Sequence, residues 1–197
     1  MSNKILFIIF IALMFALYSY FYLDKELARY FASNPYGMKK FFSIVTNFGL
    51  SEYYLVPSAL IFLFAKYRQN SRVATAALFL FLTVALSGVF TIIIKVITAR
   101  YRPPALINEN LFGFQWFDFG YMVNSFPSGH ATTALSAFTA FALLMPKFSK
   151  LFIATGILIA FSRVALSVHY LSDVLVGGVI GMLFSYTLYT GLFKGKL

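Results

Sequence analysis

No cysteine occurs among the 197 residues, which excludes disulfide frameworks and thiolate metal sites and leaves the redox character of the compartment unreadable. Charge is scarce as well, at 11% of residues, and the six acidic residues include no carboxylate cluster suited to magnesium. Histidine occurs only twice, at positions 130 and 169. A chain that is 60% hydrophobic with so few charges cannot hide its apolar surface in a single soluble core. A bilayer accepts that surface on the outside of a helix bundle. The net charge of +10 would suit nucleic acid, but the basic residues lie mostly at the ends of apolar runs, where anionic headgroups attract them. Membrane lipids, and no nucleic acid, are therefore the expected surroundings.

Long apolar runs are what the sequence has in abundance. About 20 residues cross the hydrocarbon core as a helix, and six stretches are candidates: Ile5 to Leu23, Tyr53 to Ala65, Ala74 to Ile94, His130 to Met145, Leu151 to Val168 and Ser172 to Phe193. The second is short and carries Pro57. The first follows Lys4 as a signal peptide would, but its long core ends in aromatics and Asp24, which favours a retained helix. No repeat, low-complexity segment or linker interrupts the chain, so residues 1–197 read as one all-α domain, a polytopic bundle of six transmembrane helices.

Stringing these helices in alternation places Lys4, Lys66, Arg68, Arg72, Lys147, Lys150, Lys194 and Lys196 on one side, without any acidic residue. That side is cytoplasmic by the positive-inside rule. Both termini then face the cytoplasm, and the loops Lys95 to Pro127 and Arg163 to Asp173 lie outside; in a Gram-negative cell that is the periplasm. Met38, Phe41, Phe42 and Val45 recur at helical spacing beside Lys39 and Lys40, which predicts an interfacial helix between Tyr36 and Phe48. Phe112, Phe114, Trp116, Phe117, Phe119, Tyr121 and Phe126 predict an aromatic loop at headgroup depth.

Ionisable residues near spanning helices are costly, and here they gather in three clusters. In KVITARYRP, Lys95 and Arg102 are seven residues apart and share a face if the helix continues, with Pro103 and Pro104 expected to end it. Arg100, off that face, reads as a flanking cation. In FPSGH, Gly129 permits close backbone approach, Ser128 offers a hydroxyl, and the following helix start offers amides to an anion. In SRVALSVHYLSD, Arg163 adds a cation, and His169 and Asp173 stand four apart, so that on a helix the carboxylate reaches the imidazole. An imidazole oriented in this way keeps a lone pair able to attack phosphorus, and His130 supplies the acid and base. Alone, each histidine would more often be a packing residue, and Asp173 a helix-start carboxylate; the convergence of all three clusters on one membrane face favours chemistry. Gly177 and Gly181, spaced GxxxG, are read as helix-packing residues.

Lys95 to Pro103 has the form K-x6-R-P, Pro127 to His130 the form P-S-G-H, and Ser162 to Asp173 the form S-R-x5-H-x3-D. In this order the motifs resemble the tripartite signature of the type 2 phosphatidic acid phosphatase superfamily, and the helix layout resembles its bacterial integral-membrane branch. The resemblance implies that Lys95, Arg102, Arg163, Ser128 and Gly129 bind the phosphate of a lipid substrate. It implies that His169 is the nucleophile, Asp173 its partner and His130 the general acid, with no metal or cofactor and no obligatory protein partner. Undecaprenyl pyrophosphate, lipid A, phosphatidylglycerophosphate and phosphatidate are the substrates to consider. The alternatives are a transporter or binding protein using the same ionisable cluster without hydrolysis, and haloperoxidase chemistry on bound vanadate. Ionisable groups at helix ends on one side, rather than at midplane, favour the enzyme.

Overall fold

A computed structural model describes residues 3–33 and 38–196, and among these residues the regular elements are all helices, joined by turns and one longer loop before Gly129. The helices are α1 (Asn3–Tyr22), α2 (Asp24–Ser33), α3 (Lys39–Val45), α4 (Glu52–Tyr67), α5 (Ser71–Thr98), α6 (Pro103–Glu109), α7 (Gly129–Leu144), α8 (Ser149–Ala165) and α9 (Leu171–Leu188). Large apolar side chains such as Phe7, Phe64 and Ile92 are exposed on the outer helices, as lipid contact allows.

Among the described residues, four segments are long and apolar enough to cross a membrane: Lys39–Tyr67, Ser71–Thr98, Pro146–Ala165 and Leu171–Phe193. The first joins the stretch expected at the interface, now α3, to α4; Tyr36 and Gly37 lie outside the described residues. A fifth arises if α1 and α2, bent by 67° at Leu23, count together. α2 was not expected as a separate element; it is strongly amphipathic and starts with Asp24 and Glu26 in its first turn. The remaining expected span, α7, has only 16 residues and is roughly 24 Å long, short of the hydrocarbon core. It packs against α5, α8 and α9, so its small residues Ala131, Thr132, Ala134, Ser136, Ala137 and Ala140 are buried in protein.

The contact between α7 and α9 sets the site. A Cβ at Gly177 would stand 2.6 Å from the Ser128 carbonyl oxygen, and one at Gly181 2.4 Å from that of Thr132. The expected packing role of this pair is therefore a backbone approach, and Gly178, which faces Leu135, extends it. Gly181→Ala is expected to lower the thermal midpoint in detergent, at a cost of about 1–3 kcal/mol from overpacking against immovable backbone. Gly191, with no atom within 4 Å of a built Cβ, is the control position.

Candidate active site

Two helix ends create the site. α5 stops at Thr98 because Ala99 takes a left-handed conformation, φ 42° and ψ 60°, and donates its amide to the Lys95 carbonyl at 2.8 Å. The amides of Gln115, Trp116 and Phe117 then reach the carbonyls of Ala99, Thr98 and Ile97 at 2.9, 3.4 and 3.1 Å. Part of the aromatic loop is thus a cap on α5, satisfying carbonyls that a helix end leaves open. Trp116 and Phe117 take positive φ to make these bonds, and their rings are exposed together with those of Phe119 and Tyr121. Phe112 and Phe114 turn inward instead.

The expectation that Lys95 and Arg102 share one helix is corrected by this break. Pro103 and Pro104 open α6, with Arg102 as its N-cap, since a proline in the first turn sacrifices no intrahelical bond. The cations meet on a carbonyl instead: Lys95 Nζ donates to Asn124 O at 2.8 Å and Arg102 Nη2 to the same oxygen at 3.2 Å. The Tyr121 ring lies 4.2 Å from Arg102 Cζ.

α8 ends in a Schellman turn. The Ser167 amide donates to Val164 O at 2.8 Å and that of Val168 to Arg163 O at 3.1 Å, with Ser167 left-handed at φ 52°. The His169 amide joins Val168 on the Arg163 carbonyl at 3.2 Å, which is why arginine and histidine stand six residues apart. His169 therefore precedes α9 and does not share a helix with Asp173, as the spacing had suggested. Asp173 instead sits in the first turn of α9 and accepts the Tyr170 amide on Oδ2 at 2.9 Å. The same oxygen accepts Ser125 Oγ at 2.5 Å and lies 3.5 Å from His169 Nδ1, which is itself 3.4 Å from Ser125 Oγ. Helix-start and histidine-partner roles, opposed in the sequence reading, coexist in one carboxylate.

Burial pushes the His169 imidazole down to about 3; the Asp173 contact opposes this, and Lys95 and Arg102 add to it. The ring is neutral at ordinary pH, with one nitrogen turned to Asp173 and the other carrying a lone pair. Asp173 also accepts the Ser128 amide on its carbonyl at 3.0 Å, tying the start of α7 to that of α9. Ser128 Oγ, Arg102 Nε and Arg163 Nε are buried without a hydrogen-bond partner among the described residues. A Cβ at Gly129 would meet only Lys95 Cε, at 3.9 Å. Lys95, Arg102 and Arg163 all act electrostatically on His130 in the first turn of α7, so three cations gather beside a helix start, the kind of place where amides and positive charge favour an anion.

Sequence reasoning missed several contributors. Arg163 Nη1 donates to Thr46 Oγ1 at 2.7 Å, and a Cβ at Gly49 would stand 2.8 Å from His130 Cδ2. The 3-10 turn Thr46–Gly49 therefore positions a cation and the second histidine together; nothing in TNFG marks it. Arg100, expected to be a flanking cation, is completely buried and paired with Asp24 and Asp173. Thr46→Val is expected to weaken inorganic phosphate binding about tenfold by calorimetry, the scale of one hydrogen bond to a charged group. Replacing exposed Ser43, which bonds only its own helix, should leave binding unchanged.

The PAP2 superfamily profile matches residues 76–196. The chain is 34% identical over 165 residues to the lipid A 1-phosphatase of Rhizobium etli, covering 78% of this chain and 71% of that one. To the lipid A 1-phosphatase of Rhizobium johnstonii it is 35% identical over 162 residues, covering 77% and 66%. The fold matches the crystal structure of Aquifex aeolicus LpxE with a TM-score of 0.61 at 23% identity, over 85% of this chain and 95% of that one. It matches a Bacillus subtilis transmembrane PAP2 type phosphatidylglycerolphosphate phosphatase with a TM-score of 0.62 at 19% identity, over 98% and 96%. With the helical membrane architecture and the sequence match over most of its length, the chain belongs to the PAP2 superfamily, among its membrane-embedded lipid phosphatases.

Proposed function

We propose that this phosphatase removes a phosphate from lipid A, at the extracytoplasmic face of the bacterial cytoplasmic membrane, through a phosphohistidine formed on His169 and without a metal ion. The neutral His169 imidazole, backed by Asp173 and bordered by Lys95 and Arg102, carries the reading of the chemistry. Relatives named lipid A 1-phosphatases support the substrate. The positive-inside distribution of the basic residues supports the topology, with both termini cytoplasmic.

With Nδ1 turned to Asp173, His169 attacks phosphorus through Nε2; the N–P bond forms as the P–O bond to the lipid breaks. His130, which burial and then the charges of Arg163, Arg102 and Lys95 hold down to about 4 before substrate binds, takes up a proton as the anionic phosphate neutralises those cations, and gives it to the departing oxygen. Asp173 takes no proton and stabilises the positive charge that develops on the ring. Water then attacks the phosphohistidine and passes a proton to His130, releasing inorganic phosphate and restoring the neutral His169. Lys95, Arg102, Arg163, Ser128 and the Gly129 amide hold the phosphoryl oxygens throughout.

Phosphate release by purified protein in detergent tests this directly, with lipid A, undecaprenyl pyrophosphate, phosphatidylglycerophosphate and phosphatidate as substrates. Lipid A is expected to be hydrolysed fastest, activity to survive EDTA, and His169→Ala to lose at least about a thousandfold, with His130→Ala also severely impaired. Full activity in His169→Ala, or strict dependence on added metal, would sink the mechanism; a different preferred lipid would sink only the substrate assignment.

A further inference from the structure

Arg100 stands outside the fixed positions of the K-x6-R-P motif and has no part in the reaction steps described above, yet it is the largest completely buried side chain among the described residues. Its Nη1 donates to Asp173 Oδ1 and, at 2.7 Å, to Ser172 Oγ, while Nη2 donates to Asp24 Oδ2 at 2.7 Å. Four rings enclose the guanidinium, with centroids 4.3 Å (Tyr170), 4.9 Å (Tyr20), 5.3 Å (Phe112) and 5.5 Å (Phe114) from Cζ. Burial works against its charge, but Asp173 and Asp24 more than compensate and hold it above the ordinary arginine value.

Asp24 is secured just as thoroughly. It accepts Ser19 Oγ at 2.7 Å and the Ser172 amide at 3.0 Å on Oδ1, and Ser172 Oγ on Oδ2. The Arg100 main chain acts on the same target as its side chain: its carbonyl accepts the Ser125 amide at 3.0 Å, and Ser125 Oγ donates to Asp173 Oδ2. Arg100 thus governs both carboxylate oxygens of Asp173, one directly and one through Ser125.

Building on the phosphohistidine reading above, we propose that Arg100, anchored by Asp24, is a positioning residue for the reaction: it fixes the roll of the Asp173 carboxylate so that Oδ2 faces His169. Asp24 has an electrostatic part in this. Arg100 alone would cancel the charge of Asp173, whereas the two carboxylates together leave one negative charge in excess of the guanidinium. That excess is available when the His169 ring becomes cationic, and in a water-poor interior it is little screened.

A purely architectural role, stapling α2 to α9, would lower stability and leave the catalytic constants of the folded protein intact. Wild type, Arg100→Lys, Arg100→Gln, Asp24→Asn and His169→Ala are therefore compared for thermal midpoint, kcat, KM and inhibition by orthovanadate and by inorganic phosphate, using the best lipid of the substrate panel. Asp24→Asn and Arg100→Gln are expected to lower kcat by roughly 10–100-fold, the scale seen when the outer partner of an oriented ligand histidine is removed. KM and phosphate inhibition should stay within about twofold, because the cations of the cradle are untouched. Vanadate, which bonds to the nucleophile, should inhibit both variants more weakly, and Arg100→Lys should recover part of kcat. Should Arg100→Gln fail to fold, Asp24→Asn and Arg100→Lys carry the same comparison. Lowered midpoints with kcat and vanadate inhibition unchanged would overturn the positioning role while His169→Ala remains inactive. Activity retained in His169→Ala would instead overturn the phosphohistidine reading on which it rests.

Discussion

The carboxyl-bearing first turn of α9 is the point on which the structure depends. Asp173 accepts on both carboxylate oxygens and on its carbonyl, and its donors come from the α5–α6 connection, the loop before α7, the start of α7 and the start of α9 itself. An unpaired carboxylate buried at this depth would cost several kcal/mol. Satisfying it draws together the very segments that carry the basic and imidazole side chains. Folding and site assembly are in this sense one event.

The bilayer explains why such a site is built at helix ends. Backbone groups in hydrocarbon must be satisfied internally, so irregular chain is confined to places where protein covers it. The left-handed residues Ala99 and Ser167 stop α5 and α8 with their carbonyls capped, and each stop releases a cation and a short turn at the same level. Beneath them the short α7 is shielded from lipid by its neighbours, and the glycines of α9 let its backbone close on the turn that begins with Ser128. The 67° bend after α1 then brings the acidic start of α2 over this level.

The apolar runs were legible in the sequence because their length is a property of local composition, and the three motifs because their polar residues stand out against apolar surroundings. What held them together was not legible. Lys95 and Arg102 read as helix neighbours, although a left-handed alanine separates them; alanine carries no signal for such a turn. Arg100 read as a flanking cation because its carboxylate partners lie 76 and 73 positions away. Thr46 and Gly49 belong to a turn with no unusual composition, and their importance exists only once α8 and α7 are packed against it. The α1–α2 bend was missed since Asp24 read as the polar end of a span.

The shared acceptor of Lys95 and Arg102 has a bearing on how such a site can be studied. Two like charges are held near one another by a main-chain oxygen, the Asn124 carbonyl, which every residue type would provide. The amide side chain at that position serves another purpose, donating to Phe119 O at 2.9 Å within the loop. Scanning side chains along this segment would therefore report on loop order and overlook the electrostatic work of the backbone, which only an alteration of the peptide unit itself would reveal.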